Sequence, residues 1–231
     1  MEVIGHRGGA ALAPENTLDA IRAGLGSGAD GVEIDVRLTS DGVAVLLHDP
    51  DVARTTSGRG RVGDLSSEEV RALGIPTLED VLEAVPVDRL IVVEVKGTPW
   101  DPGHDPTEPA ARVTAETLAS RGPRRVVVSS FNPLALAVVR AISPELRTAV
   151  LTSAAFDLAS SLAAAVAGGN EECHVPVELL EPGFVRSAHD AARRVVAWTV
   201  NDPDVVRRCA EWEVDGVITD DPRMARNALG R

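Results

Sequence analysis

The sequence predicts an α/β fold, a (β/α)8 TIM barrel with a small insertion after its second strand, and three observations carry that reading. Eight short β-branched runs recur along the 231 residues, Ala-, Leu- and charge-rich helical stretches separate them, and no large segment is left over. Alternation of that kind is the pattern of βα units and a parallel sheet, and a barrel built this way runs to about 250 residues. The whole chain, 1–231, is expected to form a single domain.

The strands in order are VIGH (3–6), VEIDV (32–36), IVVEVK (91–96), VVVSS (126–130), TAVLT (148–152), CHVP (173–176), VVAWTV (195–200) and GVIT (216–219). Helical stretches between them include LDAIRAGL (18–25), TAETLAS (114–120), ALAVVRAI (135–142), LASSLAAAVA (158–167) and VVRRCAEW (205–212). Asn132-Pro133, Asp202-Pro203 and Asp221-Pro222 each set a capping side chain before a proline at the first helical position. Asp202 and Asp221 therefore read as caps, although both follow strand ends. Asn16 with Asp19, and Thr77 with Asp80, read as capping boxes. Residues 37–76 break the rhythm: TSDG signals a hairpin to an extra strand at 43–47, followed by RTTSGRGRVG and a short helix near 66–73. This piece is too short to bury a core of its own. The Pro-, Gly- and Asp-rich stretch 97–109 is placed where a rim or lid would sit.

Bulk properties exclude some classes. A hydrophobic share of 44% supports a buried core, and a formal charge of −12 argues against a broad grip on nucleic acid or an anionic bilayer. Cys173 and Cys209 are far apart without a CxxC motif, so they read as reduced, structural thiols. With no leader-like start and no long apolar run, the expected location is the cytoplasm, without stable membrane association.

Active sites of parallel barrels lie at the C-terminal ends of strands. The first strand ends in His6-Arg7, the second carries Glu33 and Asp35, its hairpin partner ends in His48-Asp49, and the third carries Glu94 and Lys96. Strand side chains alternate, so Glu33 and Asp35 share one face while Val32, Ile34 and Val36 share the other. Glu94 and Lys96 repeat that parity. Lys96 is the single lysine among 23 basic residues, a compact charge suited to a phosphoryl oxygen or a carboxylate cluster. Three carboxylates in a confined space outnumber the cations Lys96 and Arg7, and buried carboxylates without compensation are costly. An all-oxygen ligand set points to Mg²⁺ or Ca²⁺. His6 and His48 suit proton transfer near neutral pH. His104 reads as a loop residue and His189 as a helix-surface one, while His174 stays undecided. Together these residues describe metal-assisted hydrolysis of a small-molecule phosphodiester. A Schiff-base lyase using Lys96 and a non-catalytic phosphoester-binding barrel are the rival readings.

HRGGAALAPENTLDAI (6–21), GADGVEIDVRLTSDGVAVLLHD (28–49), RTTSGRGRV (54–62), IPTLEDVL (75–82), VVEVKG (92–97), SSFNPLAL (129–136), AWTVNDP and DGVITDDP (within 197–222) resemble the glycerophosphodiester phosphodiesterases. The likeness follows the same order over nearly the whole chain, with 152–181 matching only loosely. It implies His6 and His48 as the acid/base pair, Arg7 and Lys96 as phosphate contacts, Phe131 and Trp198 as pocket walls, and Glu33, Asp35 and Glu94 as ligands of Mg²⁺ or Ca²⁺. The implied products are glycerol 3-phosphate and an alcohol; a lysophospholipase D-like or cyclising variant of the reaction is the alternative. Similarity to cyclising barrel phosphodiesterases implies His6 as base and His48 as acid.

Overall fold

A computed structural model describes residues 1–101, 104–155 and 157–230. Pro102 and Gly103, in the 97–109 stretch expected at the rim, lie outside the described residues. The strands are β1 (Glu2–Gly5), β2 (Gly31–Leu38), β3 (Ala44–Leu46), β4 (Leu90–Val95), β5 (Val126–Ser130), β6 (Arg147–Leu151), β7 (Glu172–Pro176), β8 (Arg194–Trp198) and β9 (Gly216–Thr219). All but β3 are parallel, and they run β1-β9-β8-β7-β6-β5-β4-β2 before β2 pairs back with β1, which closes a TIM barrel. β3 is the expected hairpin strand, antiparallel to the far end of β2.

The helices are α1 (Leu18–Gly26), α2 (Ser67–Ala72), α3 (Leu78–Ala84), α4 (Pro109–Ser120), α5 (Pro133–Ile142), α6 (Leu158–Ala167), α7 (Pro182–Asp190), α8 (Pro203–Glu211) and α9 (Pro222–Ala228). Asn132, Asp202 and Asp221 cap α5, α8 and α9 through backbone N–H groups of the first turn. The Thr77–Asp80 capping box forms at α3. The box expected of Asn16 and Asp19 does not: Thr17 caps α1 by accepting from Ala20 N–H, and Asn16, at φ 55, turns inward toward the barrel. Helix α4 starts earlier than its apolar pattern suggests because Pro109 occupies its first turn.

Side-chain parity sorts three layers. Val32, Ile34, Val36, Val93 and Val95 point outward and pack under helices α1, α3, α4 and α5. A second outer layer covers β6 to β9 and includes Cys173 and Cys209, both buried free thiols. Inside the barrel, Ile4, Leu90, Val92, Val127, Ala149, Val196 and Ile218 form an apolar plug on which the polar residues rest. The insertion does hold a small cluster of its own, Val45, Leu47, Val52, Val62, Val70 and Ile75, because β3 contributes an apolar face to it. No helix among the described residues is long and apolar enough to cross a membrane.

One close approach sets the geometry of the first strand end. A Cβ on Gly24 of α1 would lie 1.9 Å from the carbonyl oxygen of Gly8, so only glycine lets the helix press against the His6–Gly8 turn.

Candidate active site

The C-terminal ends of β1, β2, β4, β5, β8 and β9 surround a cavity of about 170 Å³ lined by His6, Arg7, Glu33, His48, Glu94, Lys96, Phe131 and Trp198 among others. The ninth residue expected at the site, Asp35, lies just beneath it and is 1% exposed. The sequence-predicted residues therefore converge on one place.

Strand register explains the carboxylates. Asp35 of β2 stands opposite Glu94 of β4, and with Glu33 they offer oxygen atoms within 4.8 Å of one another. Lys96 Nζ lies 2.8 Å from Asp35 Oδ1 and 2.5 Å from Glu94 Oε1. Asn16 holds Asp35 from below, donating to its Oδ2 at 2.7 Å and accepting from its backbone N–H at 3.1 Å. Asp35 stays below the usual carboxylate range despite burial, because the Lys96 and Arg7 charges outweigh it. Glu94 is raised, burial outweighing Lys96. Lys96 itself is raised despite burial by Glu94 and Asp35, which makes it a fixed ammonium rather than a free amine.

Glu33 lacks a side-chain cation partner among the described contacts and accepts one hydrogen bond, from Arg7 N–H at 2.9 Å. Arg7 is in the left-handed region, φ 48, which aims that N–H at the carboxylate. Burial, reinforced by the Asp35 charge, pushes Glu33 up to about 8. The donor set thus fits a hard divalent cation: three close carboxylates, one of them forced toward the protonated state for want of positive charge.

Each histidine is held by a carboxylate through Nδ1. His6 Nδ1 lies 2.6 Å from Asp220 Oδ1 and His48 Nδ1 lies 2.7 Å from Asp49 Oδ1. With Nδ1–H donating, Nε2 is left as the working nitrogen of both rings. Burial alone would lower His6, but the Asp220 hydrogen bond and the Glu33 charge outweigh it and raise the ring. Burial, followed by the Lys96 charge, lowers His48.

Sequence reasoning missed Asp220, Glu15 and Arg54. The guanidinium of Arg54 donates to Glu15 at 2.7 and 2.9 Å and also to Asp49, whose carboxyl it holds near 2. Glu15 in turn accepts from Arg7 at 2.8 Å. The insertion is thereby tied to both the His48 and Arg7 ends of the site. Among the described residues, three side-chain polar atoms around the cavity are buried without a hydrogen-bond partner: Arg7 Nε, Trp198 Nε1 and His174 Nδ1. Arg7 Nε does lie 3.3 Å from Asp35 Oδ2 as an ion pair. Unsatisfied buried polar atoms on a cavity wall, two of them N–H donors, fit a polar ligand in it. Phe131 and Trp198 meet edge to face, ring centroids 5.9 Å apart, and form the apolar wall.

Of the histidines outside this pair, two lie away from the site and His174 lines the cavity floor. His104 lies on the loop before α4 against Glu108, and His189 lies on α7 against Asp215. His174 is fully buried inside the barrel, with Nε2 3.1 Å from Glu172.

The profile of the glycerophosphoryl diester phosphodiesterase family matches residues 6–224. This chain belongs to that family. It is accordingly a phosphoric diester hydrolase, which removes the Schiff-base lyase and the non-catalytic barrel from consideration. Within the family, a glycerophosphodiester phosphodiesterase of Caldanaerobacter subterraneus is 33% identical over 242 residues, covering 98% of this chain and 97% of the relative. A phosphodiesterase of Oleispira antarctica, solved in complex with its product sn-glycerol-3-phosphate, superposes with a TM-score of 0.88 at 27% identity, over 100% of this chain and 97% of that one. The glycerophosphodiester phosphodiesterase of Thermotoga maritima superposes with a TM-score of 0.82 at 29% identity, over 100% and 98%.

Proposed function

We propose that this chain, acting as one domain, hydrolyses glycerophosphodiesters to glycerol 3-phosphate and an alcohol with a divalent cation and two histidines. The observation that carries the reading is the undercompensated trio Glu33, Asp35 and Glu94 in one cavity with two aspartate-held histidines. The product bound by the Oleispira relative supports glycerol 3-phosphate as the shared half of the substrate.

Glu33, Asp35 and Glu94 would hold Mg²⁺ or Ca²⁺. When bound, the cation supplies positive charge to the phosphoryl oxygens. Arg7 Nε and the Lys96 ammonium, already at the cavity wall, bind the remaining phosphate charge and orient the diester. Trp198 and Phe131 pack against the three-carbon unit and exclude water. His6 Nε2 takes a proton from the nucleophilic hydroxyl, and Asp220 stabilises the imidazolium that results. His48 Nε2 gives a proton to the departing alkoxide.

Position supports this division of roles. His6 lines the inner cavity alone, whereas His48 also lines a second cavity on the insertion side. The hydroxyl at position 2 of the glycerol is held beside phosphorus by the substrate itself, which favours it over free water as first nucleophile. The resulting cyclic 1,2-phosphate then opens to water with the two histidines exchanging roles. The buried free thiols Cys173 and Cys209 suit the reducing cytoplasm.

The test is turnover of a panel of glycerophosphodiesters by purified protein, with glycerol 3-phosphate measured, before and after removal of metal by EDTA and after return of Mg²⁺ or Ca²⁺. Activity that survives chelation and dialysis overturns the cation. Fast hydrolysis of a substrate lacking the 2-hydroxyl overturns the cyclic route.

A further inference from the structure

We infer that the second cavity binds the leaving alcohol and selects a neutral polyol over a quaternary ammonium alcohol. The inference rests on His48 being the proton donor to that alcohol.

Size separates the two halves of the substrate. The inner cavity, about 170 Å³, falls below the roughly 300–1,000 Å³ of pockets that enclose whole ligands. It accommodates the glycerol phosphate half, and the other half must leave past the acid. The second cavity, about 410 Å³, opens between the loop before α1 and the insertion. Among the described residues His48 alone lines both cavities. A proton donor between two compartments faces the oxygen that joins their contents.

The lining sets the chemistry of the occupant. Leu47, Leu73, Ile75 and Pro76 give an apolar floor, and Thr55 gives a hydroxyl at its edge, beside Thr56 and Arg54, whose polar atoms already bond Val52, Gly58, Glu15 and Asp49. Among the described residues Glu15 is the one carboxylate in this lining, and it is already engaged by two guanidiniums, those of Arg7 and Arg54. These contacts hold it below the usual carboxylate range, Arg54 contributing most. No Phe, Tyr or Trp ring lines this cavity among the described residues. A quaternary ammonium is recognised by aromatic faces or by a free carboxylate, and neither is offered. A hydroxyl paired with an alkyl surface fits a polyol.

The experiment compares three esters of glycerol phosphate, with glycerol, choline or methanol as the leaving alcohol, in the wild type and in Thr55→Trp. Thr55 is exposed, follows the Val52–Arg54 turn and has no side-chain hydrogen bond among the described contacts, so an indole there fills the cavity without disturbing the core. In the wild type, kcat/KM for the glycerol ester should exceed that for the choline ester by about tenfold or more, a discrimination within reach of one pocket. Thr55→Trp should lower the glycerol ester by about tenfold while leaving the methyl ester, which does not reach the cavity, within about twofold. Equal loss on both of those esters, or loss on neither, overturns the subsite. Preference for the choline ester overturns the selectivity. Turnover of the methyl ester in both proteins keeps the hydrolase reading independent of either result, and no turnover of any of the three esters by the wild type with cation present overturns the hydrolase reading and the subsite together.

Discussion

Replacing Asp220 by asparagine keeps the side chain's size and removes its charge, and neighbouring hydrogen bonds decide how the new amide faces. Asn201 Oδ1 accepts from Asp220 N–H at 2.9 Å and from Thr219 Oγ1 at 3.2 Å, so Asn201 presents its Nδ2 to residue 220. In Asp220→Asn the carbonyl must therefore turn to Asn201 and the NH₂ group to His6 Nδ1. A donor at that position drives the ring proton from Nδ1 to Nε2, the nitrogen assigned to accept a proton. Loss of a positioned base lowers kcat by about 10²–10⁴. The acid limb should move as well. Asp220 raises His6, so its removal lets the buried ring lose its proton at lower pH, and the limb of kcat/KM shifts down by about one to two units for a charge-assisted bond of roughly 1.5–3 kcal/mol. Stopped assays from about pH 5 to 9 on one glycerophosphodiester read both effects. Adding Asn201→Ala releases the amide to turn its carbonyl to His6, and about tenfold of the lost rate should return. A variant within about threefold of wild type, with the limb in place, refutes orientation of His6 through Asp220.

Protons should compete with the cation at Glu33: affinity by titration calorimetry should fall by about tenfold per unit as pH drops below about 8, and a pH-independent affinity would count against this ligand set. Asn16→Leu leaves Asp35 without its amide support and should weaken cation binding by about 10–100-fold, the range for partners of metal ligands; unchanged affinity in a folded variant would make Asn16 merely structural. An activated aryl leaving group should rescue His48→Ala far more than His6→Ala, because a stable anion leaves without a proton, and the reverse order of rescue would exchange the two roles. Gly24→Ala should cost about 1–3 kcal/mol in urea unfolding, since its methyl meets the Gly8 carbonyl, and should lower kcat by moving the His6–Gly8 turn; wild-type stability would refute the contact.

Period-two patterning made most of the site legible. Glu33, Asp35, Glu94 and Lys96 could be assigned to the barrel interior because their neighbours Val32, Ile34, Val93 and Val95 are the outward face, as the packing bears out. His6, Arg7 and His48 were visible because they end strands. Local readings failed where one residue had two plausible employments. Asn16 sits where a cap would be, but Thr17 takes that role and Asn16 supports Asp35 instead. Asp220 stands next to the capping Asp221, and nothing near it in sequence announces His6 as its partner. The Glu15–Arg54 pair spans 39 residues between two loops, a separation no helical or strand period reaches. Helix α7 was read only through His189 on its surface, and its start was not placed, because Glu181 gives it no side-chain cap and its Pro182-Gly183 start resembles a turn.

The His6–Asp220 bond joins residues 214 apart, across the seam where β1 pairs with β9. A chain that has folded only as far as β8 already owns every proposed cation ligand and His48, yet its His6 ring has no counter-ion. Competence in proton transfer is therefore conferred by the last βα unit, at the moment the ring of strands shuts. During refolding, recovery of kcat becomes a clock for closure of the seam, separate from the earlier return of helical signal, and a lag between the two measures how long the open, apolar edges of β1 and β8 stay available to other molecules.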